Sequence, residues 1–264
     1  MKLFDSHCHL NFSDFNKDRI QVIENCLNSG IIGMCIPATQ SAEWDSLTAT
    51  TVTGKMRQYV ALGLHPCFLS QHQEADIDRL DELLGQPIQH IVAVGETGLD
   101  FYDTHLTDNQ RSLQYSLFTQ QVQLAKKHQL PLIIHARKSH DQVLKALRQY
   151  KPEAGGIIHA YSGSEQQAKQ YIQLGFKLGV GGVITYPRAA KTRHLSATLP
   201  INSIVLETDA PDMPLHGFQG LRNSPEQLLP IAECLAKLRN IEVKEVAEHT
   251  TVNCQKLFSR EDEF

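Results

Sequence analysis

The sequence predicts an α/β fold, a (β/α)8 TIM barrel of the metal-dependent hydrolase type, with residues 1–264 forming one domain. Three observations carry this reading. Eight short apolar segments recur along the chain with helix-length stretches between them. Their starts lie about 20 to 40 residues apart, enough for a strand, a crossover helix and two loops. Acidic and imidazole side chains then stand at the C-terminal ends of several segments, where the loops of such barrels build active sites.

The strands are expected at Leu3–Asp5, Gly33–Ile36, Tyr59–Leu62, Ile91–Val94, Leu132–Ile134, Gly156–Ile158, Phe176–Val180 and Ile204–Leu206. The interior ones are nearly continuous apolar runs, as strands buried on both faces should be. Between them, Leu113, Phe118, Val122 and Leu124, and again Val143, Leu144 and Leu147, have helical spacing. Ser224-Pro225 supplies an N-cap and a first helical residue for a helix running to about Arg239. The polar stretch from Thr97 to Gln110 is read as a loop on the barrel top.

Composition narrows the function classes. A hydrophobic fraction of 41% with 20% charged residues suffices for a sizeable core and argues against disorder. No apolar run approaches the roughly 20 residues of a membrane span, and Met1–Leu10 lacks the layout of a signal peptide, so a cytoplasmic protein without membrane partners is expected. Six cysteines without a Cys-x-x-Cys pair fit reduced thiols better than a disulfide framework. A formal charge of -4 argues against a broad basic face for gripping duplex DNA.

The chemistry is concentrated at the strand ends. His7 and His9 follow the first strand at a spacing of two, which aims both rings at one side and sends Cys8 to the other. With 13 histidines, about 0.6 such pairs arise by chance, so the pair alone says little. Glu96 follows the buried-type run Val92-Ala93-Val94-Gly95, where an ordinary solvated carboxylate is a poor explanation. His135 and His159 each terminate an apolar run, and Asp209 follows the eighth strand, the neighbour of the first once a barrel closes. A lone histidine at such a position is more often a hydrogen-bonded core residue. Six residues at five strand ends are better explained together, by one or two divalent metal ions. Four imidazoles with two carboxylates suit zinc, manganese or iron better than calcium, and magnesium remains compatible if carboxylates and water do most of the ligation.

At these positions the chain resembles the TatD family of metal-dependent deoxyribonucleases, within the amidohydrolase superfamily. The resemblance is carried by Phe4–Leu10 (FDSHCHL), Leu62–Pro66 (LGLHP), Val94–Asp100 (VGETGLD), Leu132–His135, His159–Gly163 (HAYSG) and Leu206–Pro211 (LETDAP), which span nearly the whole chain in order. It implies that His7, His9, Glu96 and Asp209 hold one metal and that Glu96, His135 and His159 hold a second, with Glu96 shared. Glutamate at position 96 also removes the need for the carbamylated lysine of many superfamily relatives. Asn223-Ser224-Pro225 departs from the family's usual Asn-Glu-Pro and lacks its carboxylate.

A metal lowers the pKa of a bound water from about 15.7 toward about 7 and neutralises charge on the attacked group, which suits phosphodiester cleavage. Asp209 and Glu96 are the expected catalytic carboxylates, Asp209 accepting the water's proton. Substrate-binding candidates are His65, Arg137, Tyr161 and Arg222, with Lys138, Arg188, Lys191, Arg193 and Tyr186 in the same loops. For each cation a solvated surface charge is an equally good reading. The expected substrates are DNA ends, short single-stranded nucleic acid or a small phosphoester. An amidase, lactonase or deaminase using the same centre is the main alternative, and a non-catalytic metal- or nucleic-acid-binding protein a weaker one.

Overall fold

The computed structural model describes residues 1–49 and 56–258. In chain order the elements are β1 (Leu3–Asp5), α1 (Arg19–Asn28), β2 (Ile31–Pro37), α2 (Trp44–Thr48), β3 (Arg57–Leu62), α3 (Ala75–Leu84), β4 (Ile91–Asp100), α4 (Asp108–Lys127), β5 (Leu132–Arg137), α5 (His140–Tyr150), β6 (Gly156–Ile158), α6 (Glu165–Gln173), β7 (Phe176–Val180), α7 (Ala190–Thr198), β8 (Ile204–Leu206), α8 (Leu228–Arg239) and α9 (Val243–Leu257). The strands follow one another in the order β1 to β8, and every pair with a recorded register is parallel, the pattern of the (β/α)8 class. Contacts divide the described residues into two compact units, one of 1–36, 56–59 and 177–258, the other of 37–49 and 60–176.

In the first unit the two ends of the strand series meet. Ser6 N donates to Leu206 O at 2.9 Å, Asp209 N to His7 O at 2.9 Å and His9 N to Ala210 O at 2.8 Å, so the segments leaving β1 and β8 run side by side. The core beneath is aromatic: the Phe4 ring lies 6.1 Å from Tyr59 and 6.0 Å from Phe258. Helix α9 closes this end by hydrogen bonds rather than packing alone. Asn253 Nδ2 donates to the carbonyls of Ile201 and Ile204, and Thr251 Oγ1 to Lys2 O.

In the second unit the central pair is β4 with β5. β4 runs past Glu96 to Asp100, and Thr97–Asp100 pair with Ile134–Arg137 after a register shift between Val94 and Thr97. Thr97–Asp100 therefore form strand where a loop is expected from their polarity; they are buried and lie in register with β5. Gly98 allows the approach. Its φ is +143°, and a Cβ there would sit 2.0 Å from His135 O. The loop proper is 101–107, ended by a capping box in which Thr107 and Gln110 satisfy each other's backbone N–H at the start of α4.

Two buried glutamines of α4 clamp the strand ends. Gln121 accepts from Leu64 N at 2.8 Å and donates to Leu64 O, while Gln114 accepts from Asp100 N at 3.0 Å and donates to Pro66 O. Near the C-terminal side, Pro225–Gln227 is a 3-10 turn and the α-helix proper starts at Leu228. Ser224 Oγ makes its bond to Glu226 instead of capping backbone.

Candidate metal centre

Each unit carries an acid–imidazole cluster at the C-terminal ends of its strands. In the first, the Nε2 atoms of His7 and His9 stand 3.2 Å apart, and Asp209 Oδ1 lies 3.5 Å from the former and 3.6 Å from the latter. Both imidazoles are buried, and the His9 ring stacks on Phe12 at 4.7 Å. Below them Asp5 ties the two segments together. Its Oδ1 accepts from His7 N and Thr208 N, and its Oδ2 from Thr208 Oγ1 at 2.6 Å. Burial pushes the Asp5 carboxyl up to about 8 despite these bonds. Asp209 has φ +57°, in the left-handed region, and the loop after it is held by Asn223, whose Nδ2 donates to Thr208 O at 2.9 Å and Asp212 O at 2.8 Å.

In the second cluster, Glu96 is 2% exposed, and one of its oxygens, Oε1, lies 3.1 Å from His65 Nε2 and 3.2 Å from His135 Nδ1. A donor atom of each of Glu96, His135 and His159 falls within 4.8 Å of the others, and the His159 and His135 rings stack at 6.3 Å. The far nitrogen of His135, Nε2, donates to Asp100 Oδ2 at 2.9 Å. Burial pushes the His135 pKa down, but the bonds to Asp100 and Glu96 outweigh it and hold the ring up at about 8. Asp100 is raised by burial and lowered more strongly by His135 and Tyr102 N, to about 2. Next to them burial and the Asp100 carboxylate push the Cys67 thiol up to about 12.

This donor chemistry fits a divalent ion. Charge-assisted pairs close to about 2.7–2.9 Å, whereas two tetrahedral ligands about 2.0–2.1 Å from zinc stand about 3.3 Å apart. The spacings around Asp209 and around Glu96, from 3.1 to 3.6 Å, match the second figure. With Nε2 of His135 given to Asp100, Nδ1 faces a carboxylate oxygen, an arrangement that needs a proton or a cation between the two atoms.

The structure thus brings His7, His9 and Asp209 together in one unit and Glu96, His135 and His159 in the other, with His65 joining the second group. It places several substrate-binding candidates otherwise than expected. Tyr161 is 6% exposed, its hydroxyl donating to Ser164 O and its ring against His140 and Tyr171, so no stacking face is offered. Arg222 forks onto both oxygens of Asp18, donates to Asp14 O and lies over Phe15, so its donors are committed within the protein. Arg193 turns inward to Ile184 O. Arg137 stays exposed with its guanidinium 3.6 Å above Tyr102, and Tyr186 with Arg188 lines a pocket of about 500 Å³ bounded also by Val183, Ala189, Met213 and Pro214.

Asp5, Asp100, Cys67 and Asn223 are the residues that sequence reasoning misses. Asp100 left a trace, four residues beyond Glu96, a spacing that keeps one side of a strand if β4 is carried past Val94.

A (β/α)8 scaffold with acid–imidazole clusters at its strand ends defines the class of metal-dependent hydrolases, and the comparisons agree. The chain belongs to the TatD-related DNase family, whose profile matches residues 4–259. It is 40% identical to the metal-dependent hydrolase YjjV of Escherichia coli K12 over 98% of each chain. The crystal structure of that protein superposes with a TM-score of 0.92 over 97% of this chain and 98% of the other. Mouse TATDN3, whose name marks it as a candidate deoxyribonuclease, is 30% identical over 98% of this chain and 88% of its own length. A TatD-family hydrolase from Entamoeba histolytica shares the fold at a TM-score of 0.84 and 20% identity, over 98% of this chain and 99% of that one. Among the described residues no helix is long and apolar enough to cross a membrane.

Proposed function

We propose that this metal-dependent hydrolase is a phosphodiesterase that trims DNA ends or short single strands. The convergence of Asp209 on His7 and His9, and of His65 and His135 on Glu96, carries the proposal. His7, His9 and Asp209 would hold one ion, and Glu96, His135 and His159 would hold a second. Zinc, manganese or magnesium would lower the pKa of the attacking water and neutralise phosphate charge. Asp209, at the rim of its cluster, accepts the proton from that water. Glu96 anchors the second group, and His65, 3.1 Å from it, is placed to donate to a phosphate oxygen. Tyr186 supplies a face for a nucleobase, and Arg137 and Arg188 supply charge for the strand. The cysteines, four of them buried and none disulfide-bonded, support a cytoplasmic setting.

A second reading is favoured by one observation. The Tyr186 pocket is walled by Val183, Ala189, Met213 and Pro214, and Arg193 points away from solvent, which suits a carbonyl substrate with an apolar substituent, as for a lactonase or amidase. Metal-stripped and reconstituted protein should be assayed on end-labelled single-stranded DNA, bis(p-nitrophenyl) phosphate and a lactone, beside Glu96→Gln. DNA trimming that needs metal and disappears in the variant is the expected result, and cleavage of the lactone alone would replace it with the carbonyl reading.

A further inference from the structure

We infer that Cys67, Asp100 and His135, with His65 beside them, form a thiolate-bearing zinc site that adjoins the Glu96 cluster and shares His135 with it, and through which excess zinc restrains the enzyme. The inference does not rest on which bond the enzyme cleaves.

The donors are already gathered. Ligand atoms of His65, Cys67 and His135 lie within 4.8 Å of one another. Cys67 Sγ stands 3.5 Å from Asp100 Oδ2, which stands 2.9 Å from His135 Nε2. Around a tetrahedral zinc, with Zn–S about 2.3 Å and Zn–O about 2.0–2.2 Å, sulfur and oxygen ligands stand about 3.5 Å apart. Cys67 sits in the 3-10 turn Pro66–Gln71 directly after His65, Asp100 ends β4 and His135 is on β5, so rigid elements of one unit fix all four groups. Cys67 is also exposed, whereas Cys8, Cys26, Cys35 and Cys254 are buried and Cys234 is partly covered with its thiol on Ile184 O. An ion can reach this sulfur from solvent.

The donor set also sets the selectivity. A thiolate beside imidazole favours zinc over magnesium and manganese, which prefer oxygen donors. On binding, the Cys67 thiol gives its proton to water and its sulfur lone pair to the ion, and no electrons are exchanged. His135 Nε2 then exchanges the Asp100 carboxylate for the ion, and the ring is drawn from the orientation that presents Nδ1 to Glu96. Zinc beyond the catalytic complement should therefore inhibit, and manganese should not.

The direct test uses cobalt as a spectroscopic stand-in on the full-length, metal-loaded protein. Titration should bring up a thiolate-to-cobalt charge-transfer band in the near ultraviolet that zinc abolishes and that Cys67→Ser lacks, with folding and basal hydrolysis retained in the variant. The variant should bind one zinc fewer per chain and lose inhibition by excess zinc. Absence of the band in the wild type, or its survival in Cys67→Ser, would overturn the site. Because the band is read without turnover, failure of the nuclease reading leaves this result standing, and the reverse holds equally.

Discussion

The bond from His135 Nε2 to Asp100 Oδ2 decides which ring nitrogen faces Glu96. Carboxylates that orient a metal-bound imidazole in this way are worth about 10–100-fold in metal affinity. Asp100→Asn should weaken binding at the Glu96 cluster by that factor while leaving the His7–His9–Asp209 cluster unchanged, as isothermal titration with zinc would resolve. The same bond has a pH signature. In metal-free protein the His135 pKa is raised from 6.5 to about 8, so the stability its charge contributes is complete below about pH 6.5 and lost as pH rises through about 8. A metal must displace that proton, so affinity at this cluster should climb with pH up to about 8, and the climb should move to lower pH in Asp100→Asn. Imidazole NMR titrations check both. The six ligand candidates stand out in the sequence because each lies at or just beyond the end of a strand-like segment. Asp100 does not, since polarity alone ends β4 at Val94, and nothing local reveals that Thr97–Asp100 pair with β5.

Helix α4 and strand β4 act as elements, and here the sequence hides more. The helical spacing of Phe118 and Val122 correctly predicts α4, but Gln114 and Gln121 look like solvent-facing residues and are instead 3% and 0% exposed. Their partners are backbone groups of Leu64, Pro66 and Asp100, brought close only by the fold, so no nearby residue announces them. Gln121→Leu strands an N–H and a carbonyl of Leu64 in the interior, each costing about 1–3 kcal/mol. Urea unfolding should show that loss, and because His65 follows Leu64 directly, zinc affinity should fall with it. In β4, a side chain at Gly98 would meet His135 O and require a positive φ. Gly98→Ala should lower the melting temperature and disturb the His135 NMR signals together, whereas Gly85→Ala, where the backbone is not left-handed and a Cβ would meet nothing nearer than 3.5 Å, should shift the melting temperature much less.

At the scale of the whole molecule the barrel class and all eight strand positions were legible, with boundaries short at β3, β4 and β5, where the strand continues into mostly polar or small residues, and at β2, which also takes in Ile31, Ile32 and Pro37. The clusters link metal to stability throughout the chain. An ion that binds only the folded state adds about 2.7 kcal/mol at a concentration 100 times its dissociation constant. Calorimetry should therefore show a melting temperature that rises with added zinc and falls on chelation, less steeply in His159→Ala or His7→Ala, each of which removes a ligand from one cluster.

The tie between the segments leaving β1 and β8 has a further consequence in time. His7 and His9 are made some 200 residues before Asp209, which completes their cluster and reaches them only when Ser6 can pair with Leu206. A nascent chain, or one cut short by premature termination, exposes imidazoles without their acid. A hydrolase whose cluster joins residues so far apart in sequence acquires that cluster only after Asp209 has been made.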